Sequence, residues 1–328
     1  MNQPICPNFD RCGGCLYLHL ETEAYKSKKI NFIKNSFAHE GIDLTLNDFI
    51  LIPFGTRRRA TFAFKKGIVG FNEQKSHKII PLDNCPALTK KLSNLLPLIT
   101  PLCKELNKSG DIFMQETSFG VDVHIKTGKE KPTLNERMIL AEFASSNDIV
   151  RLFFNNDPII EKMPIPLPVD LFLQPSFEGE AALKKEVLSN ISETDKTAID
   201  LFCGAGTFTL PLKEKGLKVK GYDLAGPSLN HLKELGFKRD LFRNPLMRDE
   251  FEGIDLVVMD PPRAGARNQA IELAKSTVKK VIMISCNPVT AARDAKIFLD
   301  AGWKIIKAIA VDQFIYTNHI EIICILEK

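Results

Sequence analysis

The sequence predicts an α/β chain in which residues 169–328 form a doubly wound, Rossmann-like parallel sheet, preceded by a β-rich region over residues 1–168. Three observations predict it. From Phe177 onward, apolar runs of strand length alternate with segments of helical period. A glycine-rich loop, Cys203-Gly204-Ala205-Gly206-Thr207, follows the first of those runs. Asp223, Asp260 and Cys286 stand where later runs end, and that edge of an open α/β sheet is where ligands bind.

Composition narrows the setting. The 328 residues are 44% hydrophobic, ordinary for a globular protein, and no apolar run approaches the length of a membrane span. The N-terminus lacks the basic and apolar regions of a signal peptide, so a cytoplasmic protein is expected. A net charge of +4 hints weakly at an anionic partner. Eight cysteines in a cytosolic chain suggest metal ligation or catalysis before disulfides. Nothing indicates an obligate protein partner, and a monomer is expected.

Taken in order, the chain opens with Cys6, Cys12 and Cys15 in the pattern C-x5-C-x2-C, whose two internal glycines allow a tight backbone fold. Cys85, in the turn-like Asp83-Asn84-Cys85-Pro86, is the best fourth ligand. Spacing alone leaves zinc and an iron–sulfur cluster both open. Glu21 to His39 has helical period, with Tyr25, Phe32, Ile33 and Phe37 on one face and Lys26, Lys28, Lys29 and Lys34 largely elsewhere. Residues 50–125 read as strands and turns, including Ala60 to Phe71 with a turn at Lys65–Gly67, and Val121 to Lys126. Arg57, Arg58 and Arg59, with Lys65, Lys66, Lys75 and Lys78, give this region a basic surface suited to RNA phosphates, while most of its phenylalanines read as core. Glu130 to Ser145 reads as helix. Met163 to Pro168 is too proline-dense for a helix or central strand and marks the domain boundary, although the helix near 21–40 is compatible with packing on the second domain.

Beyond it, Phe177 to Ile191 is a helix. Strands are expected at Ala198–Phe202, Leu217–Tyr222, Ile254–Met259, Val281–Ile284, Trp303–Val311 and Ile320–Leu326. Gly204 and Gly206 allow a ligand close to the backbone, and Asp223 can accept hydrogen bonds from ribose hydroxyls. The loop lacks the third glycine of G-x-G-x-x-G and the G-K-[ST] of a P-loop. D-L-F-C-G-A-G-T-F-T-L-P is instead the kind of first motif seen in S-adenosylmethionine-dependent methyltransferases. Cys286 follows a strand and precedes a helix that Asn287 can cap and Pro288 can start, a place that favours a thiolate. Position alone does not separate a nucleophile from an inert core thiol. Glu321 lies in the apolar I-E-I-I-C-I-L, where a carboxylate must be paired or functional.

Together these motifs resemble the RNA uracil-C5 methyltransferase family, which makes 5-methyluridine in ribosomal and transfer RNA, over nearly the whole chain. The resemblance implies that Cys6, Cys12, Cys15 and Cys85 hold a 4Fe–4S cluster, and that G-T-R-R-R-A is an arginine-rich strand at the RNA surface. It implies cofactor roles for Gln174 in F-L-Q-P-S and for Phe202, Gly204, Gly206, Thr207, Asp223 and Asp240. Asp260 in D-P-P-R-A-G would lie at the cofactor and target base. S-C-N-P would make Cys286 the nucleophile and H-I-E would make Glu321 the base. Cluster-bearing bacterial members act mostly on large-subunit ribosomal RNA, so ribosomal RNA is favoured over transfer RNA. Three departures stand out. Many members carry a small β-barrel ahead of the first cysteine, whereas this sequence begins almost at Cys6, so RNA selection is expected to rest on the central basic region. Ser176 replaces the usual Asn, and Leu229 to Leu246 leaves little room for a full third strand. Two rivals fit less well. Amino methyltransferases share D-P-P but have an aromatic where Arg263 stands, and a non-catalytic iron–sulfur protein that binds RNA or senses redox state would not require both Cys286 and Glu321.

Overall fold

A computed structural model describes residues 6–74, 76–163, 172–224 and 226–328. Pro164 to Pro168 of the expected boundary, and Lys75, lie outside the described residues. In chain order, α1 (Thr22–His39) and β1 (Asp48–Leu51) precede β2 (Arg59–Lys65), β3 (Ile68–Asn72), β4 (Ile79–Pro81) and α2 (Lys90–Leu106). There follow β5 (Ser109–Thr117), β6 (Gly120–Lys126), α3 (Leu134–Ser146), β7 (Ile149–Phe154) and β8 (Asp157–Glu161). The remainder is α4 (Phe177–Ser189), β9 (Thr197–Leu201), α5 (Thr209–Glu214), β10 (Lys218–Asp223), α6 (Gly226–Leu229), β11 (Gly236–Lys238), β12 (Leu256–Met259), α7 (Arg267–Ala274), β13 (Lys280–Ser285), α8 (Pro288–Asp300), β14 (Lys304–Asp312) and β15 (Glu321–Glu327).

These elements form two compact units. Within the described residues, the first takes Met1–Leu20, Pro53–Asp170 and Pro175–Phe177, and the second takes Glu21–Ile52, Leu171–Gln174 and Glu178–Lys328. The division is therefore not one cut near residue 168. β1 pairs in parallel with β14, and α1 packs on α8, which puts residues 21–52 in the second unit. No local pattern announces such a pairing, because its partners are some 260 residues away.

The first unit is a seven-stranded sheet of order β4-β3-β2-β5-β6-β7-β8. Its strands run antiparallel except at β6–β7, which the α3 crossover makes parallel. Lys66 and Gly67 both have positive φ, giving the two-residue turn that matches strand twist, at the expected place. Phe62, Phe64, Ile112, Met114, Val123 and Ile125 are buried in one core with Leu92, Leu96 and Ile99 of α2. That helix was not expected in a stretch read as strands and turns. Pro97 and Pro101 lie inside it and obscure a regular stripe of buried residues at 92, 95, 96, 99, 102, 103 and 106. Arg151 and Asp122, each 1% exposed, form a two-pronged pair on adjacent strands, with Nε–Oδ1 at 2.8 Å and Nη2–Oδ2 at 2.5 Å.

The second unit is an eight-stranded sheet of order β1-β14-β15-β13-β12-β9-β10-β11. Only β15 is antiparallel to its neighbours. Apolar side chains alternate across β9, β12 and β13 and bury both faces. Ile199, Leu201, Val257, Met259, Val281 and Met283 pack towards α1, α7 and α8. Ala198, Leu256, Val258, Ile282 and Ile284 pack with Leu183 and Val187 of α4 and Leu212 of α5. A strand covered on both faces needs a continuous apolar run, which is what VIMI and LVVM supply. The third strand of this wound half is only β11, three residues long, in keeping with the short stretch available.

On α1 the buried stripe is Tyr25, Lys29, Ile33 and Phe37, whereas Phe32 is 40% exposed. The expectation that Lys29 lies outside the buried face fails because spacing of four from Tyr25 and Ile33 puts it inward. Its Nζ donates to Asp312 Oδ1 at 3.3 Å and to the His319 carbonyl, while Tyr25 donates its hydroxyl to Asp312 Oδ2. Burial pushes Asp312 up and Lys29 down, and their attraction opposes both shifts. Losing one partner of such a pair costs about 3–5 kcal/mol, so α1 is firmly fastened to the β14–β15 loop.

Candidate active site

Four strand ends of the second unit adjoin in the order β13, β12, β9, β10, and each carries an expected site residue. Cys286 follows β13, Asp260 follows β12, Phe202 and the glycine loop follow β9, and Asp223 ends β10. β15 enters beside β13 from the opposite direction. Its pairing of Ile322 with Ser285 brings Glu321 alongside Cys286. The nucleophile and base candidates, 35 positions apart in sequence, thus meet through antiparallel register.

Local structure holds each group. Asn287 caps α8 by accepting from Val289 N at 3.2 Å, with Pro288 in the first turn, as expected. Asn287 Nδ2 and Thr290 Oγ1 both donate to the Arg263 carbonyl at 3.2 Å, and Asp294 Oδ2 accepts from Ala266 N at 2.6 Å, tying the Asp-Pro-Pro loop to α8. The glycine loop requires its glycines. Gly204 and Gly206 have φ of +52° and +82°, and a Cβ at Gly206 would meet Leu232 at 2.5 Å. Phe202 also has positive φ, +63°, with its ring 5.4 Å from that of Phe242. Asp223 Oδ2 accepts from Gly204 N at 2.9 Å, linking the acid to the loop. Thr207 is half-buried just ahead of α5. Asp240 sits beyond β11, where its Oδ1 accepts from Phe242 N at 3.1 Å and Arg243 N at 3.2 Å, so this carboxylate caps its own turn.

Gln174 Nε2 donates to Asp260 Oδ2 at 3.3 Å, and Gln174 Oε1 accepts from Gln313 Nε2 at 2.8 Å. Gln313 Nε2 also donates to Glu321 Oε1 at 3.1 Å. Gln313 thus joins the candidate site residues, with little in its sequence context to mark it. Its only local signal was a polar side chain just beyond a buried strand, between Asp312 and Glu321.

The electrostatics correct one expectation. The Cys286 thiol is not lowered by the helix that follows it but pushed up to about 12, by burial first and then by Glu321 and Asp260, with Arg263 opposing. Asp260 and Glu321 are also raised, chiefly by burial, and Glu321 further by Asp260. Arg263 offsets only part of the shift on the thiol, and the cluster favours neutral forms. Among the described residues, Glu321 Oε2 is buried with no hydrogen-bond partner.

In the first unit, Cys6, Cys12, Cys15 and Cys85 line one recess together with Arg57 and Phe71. All four thiols are free. Among the described residues, no three His, Cys, Asp or Glu side chains converge as a ready-made site for a single metal ion. Burial raises Cys12, Cys85 and Cys15, the last to about 11; neighbouring thiols add to this and Arg57 opposes it. The three arginines do not form one phosphate-facing row. Arg57 belongs to this recess. Arg58 is only 3% exposed, with its guanidinium 4.2 Å from the Phe177 ring, because alternation along β2 and its approach turns it inward. Arg59 is half-buried, 5.5 Å from the Phe113 ring.

Comparison with known proteins agrees with this architecture. The profile described as tRNA (Uracil-5-)-methyltransferase matches residues 237–328. An RNA methyltransferase of Agrobacterium fabrum is 33% identical over 99% of this chain and 86% of its own length. A 23S rRNA (uracil(1939)-C(5))-methyltransferase of Marinomonas posidonica is 28% identical, over 99% of this chain and 81% of the relative. The crystal structure of a Pyrococcus abyssi tRNA (uracil-54, C5)-methyltransferase in complex with S-adenosyl-L-homocysteine shares the fold, with a TM-score of 0.73 over 96% of this chain and 86% of that one at 21% identity. With one-third identity sustained along almost the whole chain, the protein belongs to the RNA uracil-C5 methyltransferase family.

Proposed function

We propose that this enzyme transfers a methyl group from S-adenosylmethionine to C5 of a uridine in 23S ribosomal RNA, through a covalent bond between Cys286 and C6 of the base. The observation that carries the reading is the meeting of Cys286, Asp260 and Glu321 at one sheet edge, beside the glycine loop. Cys286 as thiolate forms the Sγ–C6 bond, and the displaced electron pair makes C5 a nucleophile. S-adenosylmethionine supplies the methyl group as an electrophilic sulfonium. Glu321 then takes the C5 proton, the C5–C6 double bond re-forms, and the Sγ–C6 bond breaks to return the thiolate. The target base must leave its stack, at a cost of roughly a few kcal/mol. Gly204, Gly206, Thr207, Phe202, Asp223, Asp240 and Gln174 are assigned to cofactor binding, and Asp260 to the boundary between cofactor and base. Of the three arginines, Arg59 is retained for RNA contact.

The ribosomal assignment is supported by the 23S rRNA relative, which aligns with 99% of the chain. It is tested by deleting the gene and mapping 5-methyluridine in all cellular RNA. Loss of one 23S site is expected. Loss in transfer RNA would move the substrate, and no loss anywhere would overturn the activity.

The same reading assigns a 4Fe–4S cluster to Cys6, Cys12, Cys15 and Cys85. The residues fit it: four free thiols face one recess, and Arg57 favours the thiolate forms that metal ligation requires. A cluster held by these four thiolates would tie the 6–15 loop to the 82–87 turn. Free thiols and an RNA substrate suit a cytoplasmic setting. Anaerobic purification is expected to give iron, labile sulfide and visible absorbance, all lost in Cys15→Ser. Stoichiometric zinc without iron would reject the cluster.

A further inference from the structure

Gln313 has no task in the chemistry above, yet it is 3% exposed and stands inside the site. Its Nε2 lies 2.8 Å from Gln174 Oε1 and 3.1 Å from Glu321 Oε1, and Gln174 Nε2 lies 3.3 Å from Asp260 Oδ2. Asp260, Gln174, Gln313 and Glu321 therefore form one hydrogen-bonded run. The chemistry of its ends fixes its direction. Glu321 must be ionised to act as a base, and an ionised carboxylate only accepts, so Nε2 of Gln313, not its Oε1, faces Glu321 in the reactive state. Among the described residues, two buried oxygens are then left without partners, Gln313 Oε1 and Glu321 Oε2.

We infer that Gln313 is a positioning residue for the base: its amide fastens Oε1 of Glu321, leaves Oε2 as the oxygen that receives the C5 proton, and links that orientation through Gln174 to Asp260 on the cofactor side. The inference rests on the assignment of Cys286 and Glu321 proposed above. A carboxylate torsion is a broad rotor, and one directed donor converts it into a fixed geometry, which is where orientation contributes to rate. The charged groups around Glu321 at the neighbouring strand ends make a neutral donor the suitable anchor. Burial and Asp260 after β12 disfavour its ionised form, and Glu321 in turn raises the thiol of Cys286 after β13. Arg263 acts on the thiol, and Asp312 at the end of β14 is engaged by Lys29 and Tyr25. Among the described residues, Gln313 opposes the raised affinity of Glu321 for its proton by hydrogen bonding to it.

The test uses the full-length enzyme with Gln313→Met, which keeps length but removes the donor. Two steps are read separately: trapping on RNA bearing 5-fluorouridine, which requires Cys286 and methyl transfer, and steady-state turnover on ordinary RNA, which also requires proton removal. Expected are trapping within about twofold of wild type and turnover lower by about 10–100-fold. Adduct should build up on ordinary RNA, and the rising limb of the pH–rate profile should move to higher pH. Gln313→Asn, which withdraws the donor by one methylene, should give the same pattern if the methionine variant does not fold. Wild-type turnover and pH profile, or equal losses in trapping and turnover, would overturn the role. Absence of trapping by the wild-type enzyme would overturn the covalent reading itself, and this role with it.

Discussion

Cys286→Ala is expected to abolish covalent trapping on RNA containing 5-fluorouridine and to lower methyl transfer by at least about 10³-fold. Fluorine at C5 cannot leave as a proton, so the wild-type enzyme should stall with Sγ bonded to C6 after methyl transfer. Alanine offers no atom to form that bond. The size of the effect follows from the chemistry of uracil, whose C5 is a poor nucleophile until an addition at C6 activates it. The structure adds a condition. With the thiol at about 12, few molecules carry a thiolate at neutral pH until charge in the site changes. A cation entering beside Asp260 and Glu321 favours every ionised form there, so trapping should depend steeply on bound S-adenosylmethionine and should accelerate with pH. Undiminished adduct in the alanine variant, measured by gel shift and by mass spectrometry of the RNA-linked peptide, would sink the assignment.

Glu321→Gln is expected to separate the two halves of the reaction. Glutamine keeps the shape and the acceptor for Gln313 but removes the base, and turnover should fall by about 10²–10⁴-fold. Adduct with ordinary RNA should accumulate, because attack and methyl transfer precede proton removal. Trapping on 5-fluorouridine should be no slower than wild type, since removing this acid relieves part of what holds the thiol up. The pH dependence has a definite sign. Burial raises the Glu321 carboxyl, only its ionised form can take a proton, and the wild-type rate should therefore climb as pH rises through that raised range. The glutamine variant should lose this component while keeping the component due to Cys286. A variant that forms no adduct with any RNA would remove Glu321 from the role of base.

Some of this was legible in local sequence because local rules decide it. The runs LVVM and VIMI declare strands buried on both faces, and Val257, Val258, Val281 and Ile282 are fully buried. Asn287 and Pro288 declare a helix start, and α8 begins there. Gly204 and Gly206 declare a loop that a side chain would spoil, and both have positive φ. The three N-terminal cysteines declare a common destination by spacing, and Cys85 joins them in one recess. The internal prolines of α2 worked the other way, hiding a helix whose apolar stripe is regular.

What the sequence by itself determined is the set of parts: a wound sheet, a glycine loop, an acid or thiol at successive strand ends, and a cysteine-rich start. Tertiary structure alone decided how those parts act on one another. Register between β13 and β15 sets Glu321 beside Cys286. Pairing of β1 with β14 assigns residues 21–52 to the second unit, and Asp312 turns Lys29 from a surface charge into a buried anchor. Burial beside two acids raises a thiol that its helix alone would have lowered, and Gln313 enters the site only because Gln174 and Glu321 converge on its amide. The physical reason is range. Propensity, capping and turn chemistry act within a few residues, whereas desolvation and hydrogen bonding depend on neighbours that only the folded chain brings together.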